Sequence, residues 1–291
     1  MLAPMIRIEH TKLYRRSVLW VEMALVGGLV LAMFGMLAVM HLTGLLDGAA
    51  SELQTVLTWP GSLLLSLNIS ASSGLGGLLV VVLVGVVVAQ EYQWQTYSLW
   101  LRQGVGRPTV LVAKMVTLLG AILLLTLTPL LVGGLASAVV TPLLTGTLRI
   151  EDVVFAEVAL SVLRTAYSLL PFMALTCLIA VRTRNMAASI GIGIGYTILV
   201  EEVFAQIMML VGGFPAKIAM YLPGQMAAAL SNLNSEIMAV TASITSEAGE
   251  EMLALIPQYV PLEVAVVGVA VYTVLFLGLA ARMFLKQDLT A

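Results

Sequence analysis

The sequence predicts an all-α polytopic membrane protein with six transmembrane helices, and three observations predict it. Of 291 residues, 60% are hydrophobic and only 10% charged, against roughly 45–50% apolar and about 25% charged in a soluble domain. Six runs are long and apolar enough to cross a bilayer, which takes about 20 residues of helix. The basic residues then segregate to one side when those runs are threaded through a membrane. A soluble fold of this size has nowhere to hide the apolar excess. A water-soluble enzyme, a secreted disulfide scaffold and a disordered linker are excluded. The single cysteine, Cys177, sits in an apolar run, so neither a disulfide framework nor a cysteine metal cluster is expected. A net charge of −2 and the lack of a long basic block argue against a nucleic-acid partner.

The chain reads as a single transmembrane domain, 1–291, with spans at 18–40, 62–89, 109–140, 157–181, 186–211 and 262–285. The first is too long for a signal-peptide core and follows Arg15 and Arg16, so it is expected to be a retained anchor. The second is short unless extended backward from Gly74 to Ser62, near Pro60. Pro129 and Pro171 fall inside the third and fourth spans, where a missing N–H is expected to kink each helix. Residues 1–17 mix apolar and charged side chains and suit an interfacial helix. The link 182–185 is tight, which makes spans four and five a hairpin. Residues 212–261 form a long outer loop whose apolar pieces, broken by Pro215, Pro223 and Gly224, read as short helices.

With six spans, one side carries Arg7, Lys12, Arg15, Arg16, Arg102, Arg107, Lys114, Arg182, Arg184, Arg282 and Lys286, which is 11 of 14 basic residues. That side is expected to be cytoplasmic, with both termini inside. Carboxylates such as Asp47, Glu52, Glu151, Asp152, Glu236, Glu247, Glu250, Glu251 and Glu263 fall outside.

Chemistry-bearing residues are few. There is no phosphate-binding G-x-x-x-x-G-K-[ST] loop, so the chain is not expected to hydrolyse ATP or to bind a cofactor itself. Gly191 and Gly195 are four apart in span five and suggest close helix packing. His10 and His41 fall on opposite sides, which disfavours metal or Ser-His chemistry. Arg164 in span four and Glu201 and Glu202 in span five lie about 20, 17 and 18 residues from the link. At roughly 1.5 Å per residue they share a depth. A lone charge at the bilayer centre costs at least about 2.5–3.5 kcal/mol, so an Arg164–Glu201 or Arg164–Glu202 contact is expected. It would serve either as a structural pair holding the hairpin or in a substrate path. Glu22 and Glu157 are expected to reach water from span ends. Trp94, Tyr97 and Trp100 suit an interfacial aromatic belt.

The cytoplasmic loop 90–108 holds the pattern E-x-x-x-x-T-x-x-L-x-L at Glu91, Thr96, Leu99 and Leu101, followed by Arg102, Arg107 and, opening the next span, Lys114. It resembles the first cytoplasmic loop of type-2 ABC exporter permeases. The stretch Glu9-His-Thr-Lys12-Leu-Tyr-Arg-Arg16 resembles that family's E-x-x-K-x-x-R amino-terminal helix. The stretches Val181–Tyr196 and Tyr221-Leu-Pro-Gly224 resemble its bacitracin and lantibiotic exporter branch. Many relatives have glycine before the threonine, where this chain has Gln95. The resemblance implies a permease in the plasma (inner) membrane, paired with a second copy or a related permease and with separate ABC ATPase subunits that bind ATP and magnesium. It also implies that Glu9, Lys12, Arg16, Glu91, Thr96, Leu99, Leu101 and Arg107 contact those ATPases, and that the outer helices cap the exit. An amphipathic cargo such as a peptide antibiotic or drug would move outward. The alternative is a secondary transporter or channel with Arg164, Glu201 and Glu202 as an ion relay. A membrane-anchored enzyme is disfavoured, because no Ser-His pair, metal ligands or aspartate pair lies at membrane depth.

Overall fold

The computed structural model describes residues 2–44, 59, 61–71, 75–145, 155–243 and 260–287. Most of the first outer loop, residues 146–154 between the third and fourth spans, residues 244–259 of the long outer loop, and with them Arg149 and seven of the carboxylates assigned outside (Asp47, Glu52, Glu151, Asp152, Glu247, Glu250 and Glu251) lie outside the described residues. The described chain is all-α, and six of its helical stretches are long and apolar enough to cross a membrane. This is a multi-pass membrane protein.

In order the helices are α1 (Leu2–Arg15), α2 (Ser17–Leu42), α3 (Gly61–Ile69), α4 (Gly76–Gln93), α5 (Thr96–Arg102), α6 (Arg107–Thr145), α7 (Phe155–Ser168), α8 (Leu170–Thr183), α9 (Met186–Val211), α10 (Gly213–Met220), α11 (Pro223–Ser243) and α12 (Leu262–Lys286). The spans are α2, α4, α6, α7 with α8, α9 and α12. Large apolar side chains such as Leu25, Leu31, Leu135, Leu163, Leu199 and Val274 are exposed along them. Such surface belongs against lipid, where apolar exposure carries no penalty.

The expected second span, 62–89, is not one helix. α3 stops at Ile69, and α4 starts only at Gly76, with Leu75 N–H donating to the Ile69 carbonyl and Gly76 N–H to the Ala71 carbonyl. A Cβ at position 76 would run into the Ser70 carbonyl, so glycine permits the close approach. The break falls in the small, polar stretch Ser70-Ala-Ser-Ser-Gly74, a loop signal that extending the span backward from Gly74 to Ser62 passes over.

Pro171 does interrupt the fourth span: α7 ends at Ser168 and α8 restarts at Leu170, since proline cannot donate to the carbonyl four residues back. α6, in contrast, runs without interruption through Pro129 and Pro142. The tight link is built by Arg184, which closes α8 in the left-handed conformation (φ 52°), and by Asn185, whose side chain accepts from Ala188 N–H at 3.0 Å to cap α9.

Packing between α4 and α9 reveals which glycines matter. A Cβ on Gly85 would sit 2.6 Å from Ile190 Cγ1, and one on Gly193 2.5 Å from Val81 Cγ1. The two helices therefore interlock through Gly85 and Gly193. Gly191 and Gly195, expected as the packing pair, have nothing within 4 Å of such a Cβ. Spacing alone does not say which face of α9 meets a neighbour.

Candidate functional site: a buried ion cluster beneath an amphipathic helix

One end of the bundle gathers α1, the end of α4, α5, the start of α6, the α8–α9 link and the end of α12. Arg107 Nη1 donates to the carbonyls of Leu285 (2.7 Å) and Gln287 (2.6 Å). Gln287 Nε2 donates to Val181 O (2.7 Å), and its Oε1 accepts from the Tyr92 hydroxyl (3.0 Å). These bonds tie segments that the charge pattern assigned to a common side.

α1 lays Met5, Glu9 and Leu13 inward, a spacing of four that marks one helical face. Glu9, on that face, is 2% exposed. Glu91, in the last turn of α4, is 1% exposed, and so is Lys114 on α6. Lys114 Nζ lies 2.8 Å from Glu9 Oε2 and 2.9 Å from Glu91 Oε1. Lys12 Nζ reaches Glu9 Oε1 at 2.8 Å and Glu91 Oε1 at 3.0 Å, and Arg16 Nη2 approaches Glu91 Oε1 at 3.6 Å. Two carboxylates and three cations thus join α1, α4 and α6 in one network. Burial alone would raise the Glu9 carboxyl. The Lys114 ammonium, and after it Lys12, outweigh burial and hold Glu9 below its ordinary value.

A π-helical stretch, Gly85–Ala89, supplies the network's other acceptors. Arg16 Nη1 donates to Val86 O (3.1 Å), Lys114 Nζ to Val87 O (3.4 Å) and the Tyr97 hydroxyl to Val88 O (3.3 Å). A π-bulge widens the helix and loosens its carbonyl ladder, which makes these carbonyls available to side chains.

α5 sits directly on the cluster. Each cation faces one of its aromatics or the turn before it: Lys12 is 5.2 Å from the Trp100 ring, Arg16 5.6 Å from Trp94 and Lys114 5.7 Å from Tyr97. These separations suit cation–π attraction. The aromatic belt expected from the sequence is therefore also a set of cation partners. Tyr97, wholly enclosed, packs edge-on to Phe284 of α12 at 5.2 Å. Burial first, then the Glu91 carboxylate, push its phenol well above the ordinary value, so it stays a hydrogen-bond donor. The outer face of α5 presents Leu99 (52% exposed), with Trp94 (63%) just ahead of the helix. Thr96 opens α5 and Leu101 is half-buried. Gln95, standing where a glycine was noted in similar loops, adopts the left-handed conformation with φ 54°.

The site residues singled out from the sequence thus divide. Glu9 and Glu91 are enclosed, and Arg107, half-buried, donates to the end of α12. Lys12 (side chain 25% exposed) and Arg16 (14%) are anchored from within. Thr96, Leu99 and Leu101 lie on the helix that faces away. Lys114, noted only as opening a span, is the hub. A lysine seven residues into an apolar helix was the available signal.

The charges of the opposite half do not assemble as expected. Glu201 is 2% exposed, but its Oε1 accepts from the Tyr196 hydroxyl at 2.8 Å and its backbone carbonyl from Gln225 Nε2 at 2.8 Å. Glu202 is exposed. Among the described residues, no carboxylate lies within ion-pair distance of Arg164. Counting from the link fixes depth and not azimuth, and Tyr196–Phe204 is π-helical, which changes the helical phase. Glu201 turns instead toward the first residues of α11, where a Cβ on Gly224 would lie 2.6 Å from its Oε2. A carboxylate at a helix amino terminus is favourably placed. Glu22, expected near water, is 4% exposed, with no hydrogen-bond partner among the described residues, whereas Glu157 is exposed as expected. Beside α11 and α12, an apolar groove of about 490 Å³ is lined by Tyr221, Met226 and Val267, with Glu263 at its edge.

No protein-family model matches the chain, and no curated protein matches it.

Proposed function

We propose that the chain is the membrane subunit of an ATP-driven exporter of the type-2 ABC permease kind. Its basic end and both termini would face the cytoplasm of a cell whose plasma (inner) membrane it spans. The observation that carries this reading is α5: a short helix offering Leu99, and Trp94 beside it, outward, while its underside rests on a buried ion network. A helix so mounted transmits force. A push on α5 passes through Tyr97 to Phe284 of α12, and through the three cations to Glu91 and the Val86–Val88 carbonyls of α4. The α7–α8 break at Pro171 is a natural place for the bundle to give, as in rigid-body switching.

In this reading separate ATPase subunits carry ATP and magnesium and dock on α5, and a second permease, identical or related, completes the pore. The apolar groove beside α11 and α12 suits an amphipathic cargo. The ion-relay alternative rested on Arg164, Glu201 and Glu202 acting together, and it loses that support because Glu201 is engaged elsewhere.

The test is co-expression with an ATPase encoded beside this chain. Leu99→Asp is expected to weaken co-purification about tenfold or more, as loss of an interface hot spot does, without changing the melting of the permease itself. Transport by the purified chain alone on an ion gradient would overturn the proposal.

A further inference from the structure

At the same end of the bundle, beyond the ion cluster, an open groove of about 540 Å³ is lined by Arg182, Arg184, Arg282, Met283, Lys286 and Gln287. Four cations converge there. Among the described residues, none of them lies within ion-pair distance of a carboxylate. Nor are they needed to quench the nearby helix-end carbonyls: Arg107 already donates to Leu285 and Gln287, and Gln287 to Val181. The groove therefore holds four positive charges that no carboxylate among the described residues matches, a strong electrostatic demand for an anion.

The surface leading to it specifies which anion. On α12, Leu275, Leu279, Arg282 and Lys286 are spaced 4, 3 and 4 residues apart, so they form a single stripe. Leu275 and Leu279 are 50% and 42% exposed, and Arg282 and Lys286 are exposed as well. Leu275 and Arg282 are separated by about 10 Å along the helix axis at 1.5 Å per residue. The stripe is thus greasy within the span and cationic over its last two turns. Soluble phosphate has no use for the greasy half, and an acidic protein surface cannot reach it. A phospholipid fits both halves: acyl chain along Leu275 and Leu279, phosphodiester among the arginines. Basic pockets between spans hold anionic headgroups in this way.

We propose that this groove is a specific site for an anionic phospholipid of the leaflet at the basic end. It requires only that the chain spans a membrane, and stands or falls independently of the exporter reading.

The full-length protein, reconstituted without any ATPase, is probed with spin-labelled phosphatidylglycerol and phosphatidylcholine. Motionally restricted lipid is read by electron paramagnetic resonance, which reports binding whichever way the protein inserts. The unmodified protein is expected to prefer phosphatidylglycerol. Arg282→Gln with Lys286→Gln is expected to lower that preference about fivefold for each charge removed, while Arg7→Gln with Arg15→Gln leaves it unchanged. Should the first pair fail to fold, the unmodified protein still decides: its preference must shrink as salt rises from 0.1 to 1 M, where screening shortens from about 10 to 3 Å. Equal binding of both lipids, displacement by inorganic phosphate, or the first pair abolishing capture of a soluble partner while lipid preference persists would each overturn the proposal.

Discussion

Replacing Lys114 by methionine removes the hub of the ion network while roughly keeping the volume of the side chain. The ammonium makes two contacts of 2.8 and 2.9 Å with Glu9 and Glu91. At an effective dielectric constant of about 20, each is worth roughly 6 kcal/mol in gross Coulomb attraction. Most of that offsets the several kcal/mol needed to bury each ion. The loss is therefore set by what remains: two carboxylates, 2% and 1% exposed, facing only Lys12 and the more distant Arg16. Breaking a buried pair from one side typically costs about 3–5 kcal/mol. Thermal unfolding of the full-length protein in detergent should show Lys114→Met as severely destabilised. Adding Glu9→Gln to Lys114→Met removes one stranded charge and should recover part of the loss, a non-additivity of about 0.5–3 kcal/mol in the double-mutant cycle. A loss below about 1 kcal/mol for Lys114→Met, or strictly additive effects, would refute the network as a source of stability.

Four further outcomes follow from named contacts. Glu9 titrates below its ordinary value of 4.5 when folded, so it contributes stability that is present above that value and lost as pH falls through the lower folded one. Acid unfolding curves of the parent and Glu9→Gln should converge as pH drops below 4.5 and stay separated above it. Gln95→Gly should leave stability unchanged or raise it by up to about 1 kcal/mol, because the left-handed penalty of roughly 1–2 kcal/mol exceeds the added chain entropy of roughly 0.5–1 kcal/mol; a fall in melting temperature contradicts this. Gly193→Ala, with its Cβ 2.5 Å from Val81 Cγ1, should cost about 1–3 kcal/mol through overpacking, whereas Gly191→Ala should not destabilise the isolated chain, both measured by thermal melting. Gly224→Ala should push Glu201 off the start of α11 and cost about 1–3 kcal/mol, checked by the same melts and by faster amide exchange in the first turns of α11.

How much of this was legible depends on which kind of force decides. The number of spans follows from apolar runs, because bilayer thickness and helical rise admit few solutions. The gathering of basic segments at one end follows from parity and charge. Glu9, Lys12, Arg16 and Glu91 were visible as residues of interest, yet as outward contacts. That Glu9 and Glu91 face inward depends on a lysine 23 residues beyond Glu91, which no local pattern connects to α1. The turn of Glu201 toward Gly224 was hidden for a related reason. Residue counting does not give the azimuth of a π-helical segment, whereas the Ser70–Gly74 stretch did carry the signal of the break.

The sequence by itself determined an all-α, six-span membrane chain with its positive charge at one end, since the cost of placing polar groups in hydrocarbon is a property of each segment alone. Only the tertiary structure decided which charges pair, which glycines are filled by a neighbour and which helix end is left to face outward. Those outcomes depend on the relative rotation and offset of packed helices, set by side chains far apart in the chain and by short π-helical stretches that shift the phase.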